Sequence, residues 1–412
     1  MKLNSKNREN GSSLFVALTL CLVVGVILAG YLVLTSNRFQ MTVRSSDWNA
    51  AIPVLEAGVE EALTHLTRDT NQPTANNWSS ATIRSVQAYT KTRSFPDGSY
   101  YYVYIINYTG NNPLIYSSGF VRSPYNANKF IARTVVVGVT NPPTVFTRAL
   151  TVSGNVSLVG NPIIDSFDSR KGPYNTTSNR NANANVATNA KLLGLVSLGG
   201  AHIYGTIATG PGAIILGGTV GDVAWNASQS GIEPGWSSDT MNVSFPSNSP
   251  PTGGPYFSPA QYTNITSGTY QITGAFSSSG NITISGNVVL YVTSDFTLKG
   301  NDVITIKPGA SFKIIAGGNV SLGGGGLINN SGYAANFSVY GLNSCTSISY
   351  SGTGQFIGTV NAPQADFSIK GTSDVYGAIV AKSALMNGNT ALHYDEALGY
   401  QDGYLATSWR EL

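Results

Sequence analysis

An uncharged apolar stretch over residues 10–37 constrains this chain more than any other feature. It is apolar all round a helix rather than along one stripe, and it exceeds the roughly 20 residues that a helix needs to cross a bilayer. It therefore predicts a transmembrane helix over residues 12–37, with Leu14, Val24 and Leu34 among its lipid-facing side chains. A cleaved secretory signal is the alternative, although its apolar core is usually shorter.

The residues before this helix predict its orientation. Lys2, Lys6 and Arg8 precede the apolar stretch, and Glu9 is the only acid there. Because basic residues stay on the cytoplasmic side of a membrane helix, we expect residues 1–11 to form a cytoplasmic basic leader. The chain is then a single-pass protein of the cell membrane or of surface filaments, with its C-terminal bulk outside the cytoplasm.

Helical periodicity continues beyond the apolar stretch. Apolar residues recur at steps of three and four from Trp48 to Leu66, which predicts an amphipathic helix over residues 38–68 with one buried stripe. Pro53 removes one backbone donor and predicts a kink. The polar residues 69–98 read as a linker, and three alternating apolar runs then predict an antiparallel β meander over residues 99–143 that packs against the helix.

The pattern of apolar residues and glycines changes at residue 149. Short alternating apolar runs follow one another without helical segments, each bounded by Gly-Asn or Gly-Gly, in a chain with 46 glycines and 10% charged residues. Since each run is too short to bury a face alone, the pattern predicts a parallel β-solenoid over residues 149–398. The Gly-Asn corners favour it because both residues tolerate positive φ. A β-sandwich is the alternative.

Two segments stand outside this pattern. Residues 226–262 are rich in Pro, Gly and Ser and predict an irregular loop that lies over the solenoid or projects from it. Residues 399–412 predict a C-terminal tail. The expected fold is thus mostly β: a long N-terminal helix with a small antiparallel sheet, followed by a parallel β-helix.

Two parts of the chain resemble known families. A basic leader, an apolar helix and LEAGVEEALTHL at 55–66 resemble the N-terminus of PilX-type minor pilins and type IV pilus assembly proteins. DSFDSRKGPY at 165–174, with residues 356–371 and 375–398, resembles an uncharacterised Gly-rich domain often attached to such proteins. The resemblance implies a minor component or assembly factor of a type IV pilus or a related machine, with the membrane and other pilin-like subunits as partners.

The resemblance also implies leader cleavage by a prepilin peptidase between Gly11 and Ser12. Many pilins carry Glu as the fifth residue after that site, whereas this chain has Val16 there. PilX-like chains often lack this Glu, but without it the usual helix-register contact cannot form.

The ionisable residues give no catalytic, cofactor or metal constellation. Glycosidases need two carboxylates across a groove, and we expect the acidic pairs around Asp165 and Asp395 to lie on different parts of the solenoid. His65, His202 and His393 are scattered, and no CxxC or HExxH motif occurs. We therefore expect no enzyme. A membrane-tethered polysaccharide-acting enzyme or an adhesin on the same β-helix scaffold is the alternative.

Aromatic residues around the irregular loop are candidates for surface contact with a polysaccharide or a protein. They are Trp225, Trp236, Tyr256 and Tyr262. Loops carry binding functions more often than the scaffold does. The net charge of +3 is small and dispersed, so nucleic acid is not an expected partner.

Overall fold

The computed structural model describes residues 10–69, 72–110, 112–123, 126–191, 195–323, 325–351, 354–400 and 403–412. The chain forms two compact units. The helix–sheet unit comprises Met1–Pro142 and Asp402–Leu412, and the parallel-strand unit comprises Pro143–Gln401. Of the predicted basic leader, residues 1–9 lie outside the described residues.

The regular elements follow one another in this order. The helix–sheet unit begins with α1 (Asn10–Arg68), β1 (Ser79–Ile83), β2 (Val86–Ser94), β3 (Tyr100–Ile106), β4 (Leu114–Ser123) and β5 (Asn126–Thr140). The parallel-strand unit begins with β6 (Leu150–Val152), β7 (Val156–Val159), β8 (Ile163–Phe167), β9 (Val186–Thr188), β10 (Leu195–Tyr204), β11 (Ile207–Ala208), β12 (Ile214–Gly221), α2 (Val223–Ser228), β13 (Gly231–Ile232) and β14 (Ser237–Ser238).

The remaining elements complete both units. The parallel-strand unit continues with β15 (Asn264–Ile265), β16 (Gly268–Ile272), β17 (Phe276–Ser277), β18 (Ile282–Ile284), β19 (Asn287–Val292), β20 (Phe296–Leu298), β21 (Val303–Ile306), β22 (Ser311–Ala316), β23 (Val320–Leu322), β24 (Gly326–Asn329), β25 (Phe337–Gly341), β26 (Ser347–Tyr350), β27 (Phe356–Gly371), β28 (Asp374–Gly388) and β29 (Ala391–Asp395). The last strand, β30 (Leu405–Glu411), belongs to the helix–sheet unit. Short 3₁₀ turns occupy Ala75–Asn77, Ser169–Lys171, Ala334–Asn336 and Glu396–Gly399.

Helix α1 joins the predicted membrane and amphipathic segments into one helix. It continues through Pro53 to Arg68. The stripe that it buries is Ala51, Leu55, Val59, Ala62 and Leu66, spaced by three or four residues as a helix face requires. The stripe starts later than the sequence predicts, because Trp48 is 46% exposed.

The antiparallel sheet has more strands than the predicted meander. Its order is β1-β2-β3-β4-β5-β30. The interpretation of residues 69–98 as a linker is wrong, since β1 and β2 lie there, and residues 399–412 are not a tail, since β30 pairs with β5. The strands at both edges of the sheet bury few side chains, and every residue of β30 is exposed. They therefore lack the apolar alternation that identifies a strand.

Helix and sheet approach closely at small residues. A Cβ atom added at Gly119 of β4 would lie 2.6 Å from the carbonyl oxygen of Ala51 and 2.7 Å from the nitrogen of Leu55. The neighbouring Ser117 hydroxyl donates to the Leu55 carbonyl over 2.7 Å. Gly58 of the LEAGVEEALTHL stretch faces Ser117 and Tyr101 with no room for a side chain. This contact fixes the helix on the sheet through backbone atoms.

The parallel-strand unit is built from ladders of parallel strands. One ladder runs β16-β19-β22-β25-β27-β28-β6-β9-β11-β14, and a second runs β17-β20-β23-β26-β27-β28-β7-β10-β12. Two shorter ladders accompany them. One runs β15-β18-β21-β24, and the other runs β28-β29-β8-β10. This pairing is not the antiparallel pairing of a β-sandwich.

Inward side chains of successive strands stack in columns and form one apolar core. In the first ladder, residues paired in register from strand to strand are all at most 1% exposed: Leu290, Ile314, Val339, Val360, Ile379, Leu150, Val186 and Ile207. In β19 and β22 the residues before the column, Val289 and Lys313, are partly exposed, because side chains alternate with a period of two.

The order of strands in the ladders differs from their order in the sequence. The chain enters the ladders in the middle, at β6, which pairs with the late strand β28. It then builds towards β14 at one end of the ladders. From there it crosses to β15 and β16 at the opposite end, and it builds back to β28 and β29. As a result the first and last residues of this unit meet, and Pro143 pairs with Tyr400.

Residues 239–263, called the crossing segment below, make that long return. The Met241 amide donates to Thr209 O over 2.8 Å, and the Asn248 side chain donates to Gly341 O and Asn361 O over 2.9 and 2.8 Å. At the far end Phe257 O accepts from Gln271 N over 3.0 Å. The predicted irregular loop over residues 226–262 thus holds strands β13 and β14, and its remainder lies along the first ladder.

Asparagine acts at the corners through its side chain. Asn319 Oδ1 accepts from the amides of Thr346 and Ser347 over 3.2 and 2.9 Å, and Asn281 Oδ1 accepts from Val303 N over 2.9 Å. In the described Gly-Asn corners positive φ occurs at glycines, including Gly160, Gly280, Gly300 and Gly388, and at none of the asparagines. The side chains of Asn281 and Asn319 therefore tie one turn of the chain to the next.

Deleting residues 142–402 should leave the helix–sheet unit folded. The fusion joins Asn141 to Gly403, which leaves a three-residue loop between the paired residues Thr140 and Leu405, a common hairpin length. We expect the detergent-solubilised deletion variant to keep a cooperative thermal transition by circular dichroism. Truncation after residue 141, which also removes β30, is the control and should be less stable. A non-cooperative transition in the fusion would show that the unit depends on the insertion.

Replacing Gly119 by Ala should destabilise the helix–sheet unit. The new Cβ meets helix backbone, which cannot rotate away, so we expect a loss of about 1–3 kcal/mol in the free energy of unfolding. Gly25→Ala is the matched control, because a Cβ there meets nothing within 4 Å. Urea unfolding of both variants tests the contact. Equal stabilities would mean that the helix does not pack as closely as described.

Candidate functional site

The first half of α1 exposes the predicted anchor residues. Leu14, Val24 and Leu34 are 72%, 47% and 50% exposed. Among the described residues, α1 is the one helix that is long and apolar enough to cross a membrane, judged by length and composition. Gly11 and Ser12, the predicted cleavage position, lie in its first turn. The first half of α1 is therefore an uncovered apolar segment, and its last part is a segment that packs on the antiparallel sheet.

The four aromatic candidates for surface contact do not form one surface. Trp225 donates its indole N–H to Gly231 O over 3.2 Å, and Trp236 O accepts from Ile207 N over 2.9 Å, so both lie at the β12–β14 end of the ladders. Tyr262 packs on Phe276 at the opposite end, with ring centroids 5.3 Å apart. Tyr256 bonds within its own loop, to Thr252 O.

The strongest clustering of chemical groups lies where β29 meets β8. His393 and Asp165 are directly opposite in these strands, and His393 Nδ1 lies 2.5 Å from Asp165 Oδ1. The other carboxylate oxygen accepts from the Tyr174 hydroxyl over 2.7 Å and lies 2.8 Å from Arg180 Nε. The Arg180 guanidinium stacks on Tyr204 at 3.7 Å. Asp165 is fully buried.

A second carboxylate group adjoins this cluster. Burial alone would raise the pKa of Asp168, but hydrogen bonds and charge from Arg170 outweigh it and lower that pKa. Burial raises the pKa of Asp395, although its carboxylate accepts from the amides of Ser169 and Ala397. Glu396 Oε1 accepts from the side chains of Ser166, Asn181 and Asn183. These acids are engaged with donors of their own unit.

The geometry of this cluster encloses His393 and leaves no face of its ring open to a substrate. An Asp–His pair can orient a general base, but that base needs an accessible face and a reacting partner. His393 is 5% exposed, and its ring packs on Tyr174 and Tyr376 with centroids 3.9 and 4.6 Å away. The arrangement joins β29, the last strand of the parallel-strand unit, to β8, its third strand, by a buried hydrogen bond.

The part of the chain that the structure describes offers neither a metal site nor, at Cys345, a reactive thiol. No group of three or more His, Cys, Asp or Glu side chains there could hold a metal ion. Cys345 is buried, and burial raises the pKa of its thiol to about 11, which keeps it protonated.

Sequence reasoning placed the acidic groups on different parts of the scaffold, and that was wrong. Asp165 and His393 are far apart in the chain and meet only because the ladders begin in their middle. One signal pointed to the cluster: Asp165 lies in DSFDSRKGPY and His393 in HYDEAL, the two most distinctive stretches of the sequence.

The comparisons with known proteins cover the chain unevenly. A family model described as a domain of unknown function, DUF7305, matches residues 247–400, which include β15–β29 but not β6–β14. No curated protein matches the chain. Among solved structures, the competence-associated pilin ComZ from Thermus thermophilus is similar at 9% identity, covering 89% of this chain and 97% of that one with a TM-score of 0.31.

Replacing Asp165 by Ala should strongly destabilise the parallel-strand unit. It removes the buried carboxylate that the 19% exposed side chain of Arg180 and the buried His393 ring both contact, and breaking a buried pair in this way costs about 3–5 kcal/mol. Asp366→Ala is the control, since Asp366 is an exposed carboxylate 3.9 Å from Lys382 and its loss should cost at most about 1 kcal/mol. Urea unfolding followed by tryptophan fluorescence compares them. Equal midpoints would contradict a stabilising role for the cluster.

Proposed function

We propose that this chain is a pilin-like, single-pass membrane protein that acts as a PilX-type minor component or assembly factor of a type IV pilus or a related surface machine. One observation supports this most strongly. In α1, an apolar segment exposed on every side runs without a break into a segment that docks one stripe on an antiparallel sheet.

Such a helix suits two environments. In the membrane, lipid covers the apolar surface around Val24. In a filament, the same surface packs against helices of neighbouring subunits, so burial in the fibre offsets extraction from lipid. The partners that this implies are the membrane and other pilin-like subunits. The last part of α1, which packs on the sheet, keeps the folded units attached to the apolar segment both in the membrane and in the filament.

The proposed topology follows from the charges of the leader. Lys2, Lys6 and Arg8 would hold the N-terminus in the cytoplasm, and both folded units would lie outside it. Prepilin peptidase would cleave between Gly11 and Ser12 before assembly.

The proposed head is a parallel β-solenoid made of the parallel-strand unit. Parallel pairing between segments that recur along the chain, together with columns of stacked apolar residues, supports this architecture. A head of that size would not fit at every position of a thin fibre, which favours a tip or a sparse position for this subunit.

We also propose that the chain has no hydrolytic or lyase activity. The supporting observation is the closed state of its best Asp–His pair, in which His393 is enclosed by Tyr174 and Tyr376. Incubation of the purified chain with acidic and neutral polysaccharides should release no reducing or unsaturated ends. Release that disappears in His393→Gln while the fold is retained would establish an enzyme instead.

Replacing Val24 by Asp should abolish incorporation into surface filaments. A carboxylate in the middle of the apolar segment costs about 2.5–3.5 kcal/mol on insertion scales and has no partner in a bundle of apolar helices. Val24→Leu is the control. We expect mass spectrometry of sheared filaments to detect residues 12–412 in wild type and Val24→Leu, and not in Val24→Asp. Filaments from the wild type that contain no trace of the chain would contradict a filament role.

A further inference from the structure

A cleft lies under the crossing segment in the middle of the parallel-strand unit. Residues 243–246 form one wall, residues 144–148 form another, and β6 and β28 form the floor through Thr151 and Val380. Its volume is about 170 Å³. That is smaller than the roughly 300–1,000 Å³ of sites for drug-sized ligands, so it suits a single ring or a chain end.

The cleft contains a cation with no partner. Arg148 is half-buried, and no ion pair or hydrogen bond to its side chain occurs within the described residues. A half-buried guanidinium is partly removed from water, and its five donors fit a carboxylate in a bidentate manner. An unpaired Arg on the wall of a cleft therefore favours an anionic ligand.

Hydroxyl groups and apolar surface accompany Arg148. Thr147, Thr151 and Ser244 line the cleft, and the hydroxyls of these residues have no hydrogen-bond partner among the described atoms. Val243 and Phe245 supply apolar surface beside them. A sugar ring matches this combination, since it presents C–H groups on its faces and hydroxyls around its edge.

A peptide carboxylate matches the cleft less well. Peptides bind largely through backbone donors and acceptors at an open strand or loop. Here the backbone N–H and C=O of Val243 already bond to the Asn189 side chain over 2.9 and 2.6 Å, and the Asn361 carbonyl accepts from Asn248 over 2.8 Å. Among the described residues, the polar side chains of the cleft that have no hydrogen-bond partner are the hydroxyls of Thr147, Thr151 and Ser244 and the guanidinium of Arg148.

From this we infer that the cleft binds one carboxylate-bearing sugar ring, a uronic acid of a surface polysaccharide. Arg148 pairs with the carboxylate, the hydroxyls of Thr151 and Ser244 bond to the ring hydroxyls, and Phe245 and Val243 contact the ring face. This would make the unit a polysaccharide-binding module, whether or not the chain enters a filament.

Saturation-transfer NMR on the full chain in detergent micelles tests the inference, with D-glucuronate as the probe. We expect saturation transfer to glucuronate in the wild type and none to D-glucose at the same concentration. Arg148→Gln should raise the dissociation constant about tenfold or more, because a bond to a charged group is lost. Lys370→Gln, which removes the same charge from an exposed site in the same unit, should leave it unchanged.

Thr151→Val tests the hydroxyl contacts with almost no change in volume, and it should weaken glucuronate binding while the melting temperature stays close to the wild-type value. Four results would overturn the inference: no transfer to glucuronate, equal transfer to glucose, equal affinities of Arg148→Gln and wild type, or competition by N-acetylalanine at the same concentration as glucuronate. The last result would identify a peptide carboxylate as the ligand.

Discussion

The apolar surface of α1 that no other described residue covers is the constraint on which the rest of the structure depends. Exposed apolar area costs about 25 cal/mol per Å² in water, and the large side chains from Leu14 to Met41 are mostly more than half exposed. The helix has 59 residues and is about 90 Å long, roughly three times the thickness of a bilayer core. A bilayer core is thick enough to cover only its first part, and the sheet covers one stripe of the last part.

The order of the ladders explains how a large unit is inserted into a small sheet. Strands β5 and β30 are neighbours, so the chain must leave after Thr140 and return before Leu405 at nearly the same place. A ladder built in plain sequence order would have its two ends at opposite ends of the stack. By starting in the middle, the parallel-strand unit brings Pro143 beside Tyr400, and the buried Asp165–His393 pair holds the two halves together.

The sequence predicts those features that depend on local periodicity. The three-to-four spacing from Leu55 to Leu66 predicts the docked helix, and the alternation in β3, β4 and β5 predicts the centre of the antiparallel sheet. The edge strands were missed because β30 buries no residue, so nothing in its pattern distinguishes it from a tail. Periodicity is informative only where a face is buried.

Features that depend on distant pairing could not be predicted. The pairing of Leu150 with Ile379 has no local signature, since any apolar strand of similar length would fit the column. The Asp165–His393 contact follows from that pairing, and so does the path of the crossing segment with the cleft beneath it. The aromatic candidates failed for the same reason: Trp225 and Tyr262 are near in sequence, but the crossing segment separates them by the length of the ladders.

Spin-label accessibility along α1 distinguishes an apolar segment that is uncovered on every side from a segment that docks one stripe on the sheet. Single labels at successive positions, in a Cys21→Ser, Cys345→Ala background reconstituted as monomers in liposomes, report oxygen collisions at each residue. We expect high accessibility on all sides of the helix from residue 14 to residue 34. Beyond that segment, we expect minima at Ala51, Leu55, Val59, Ala62 and Leu66. A protected stripe in the first segment, or uniform accessibility in the second, would contradict this expectation.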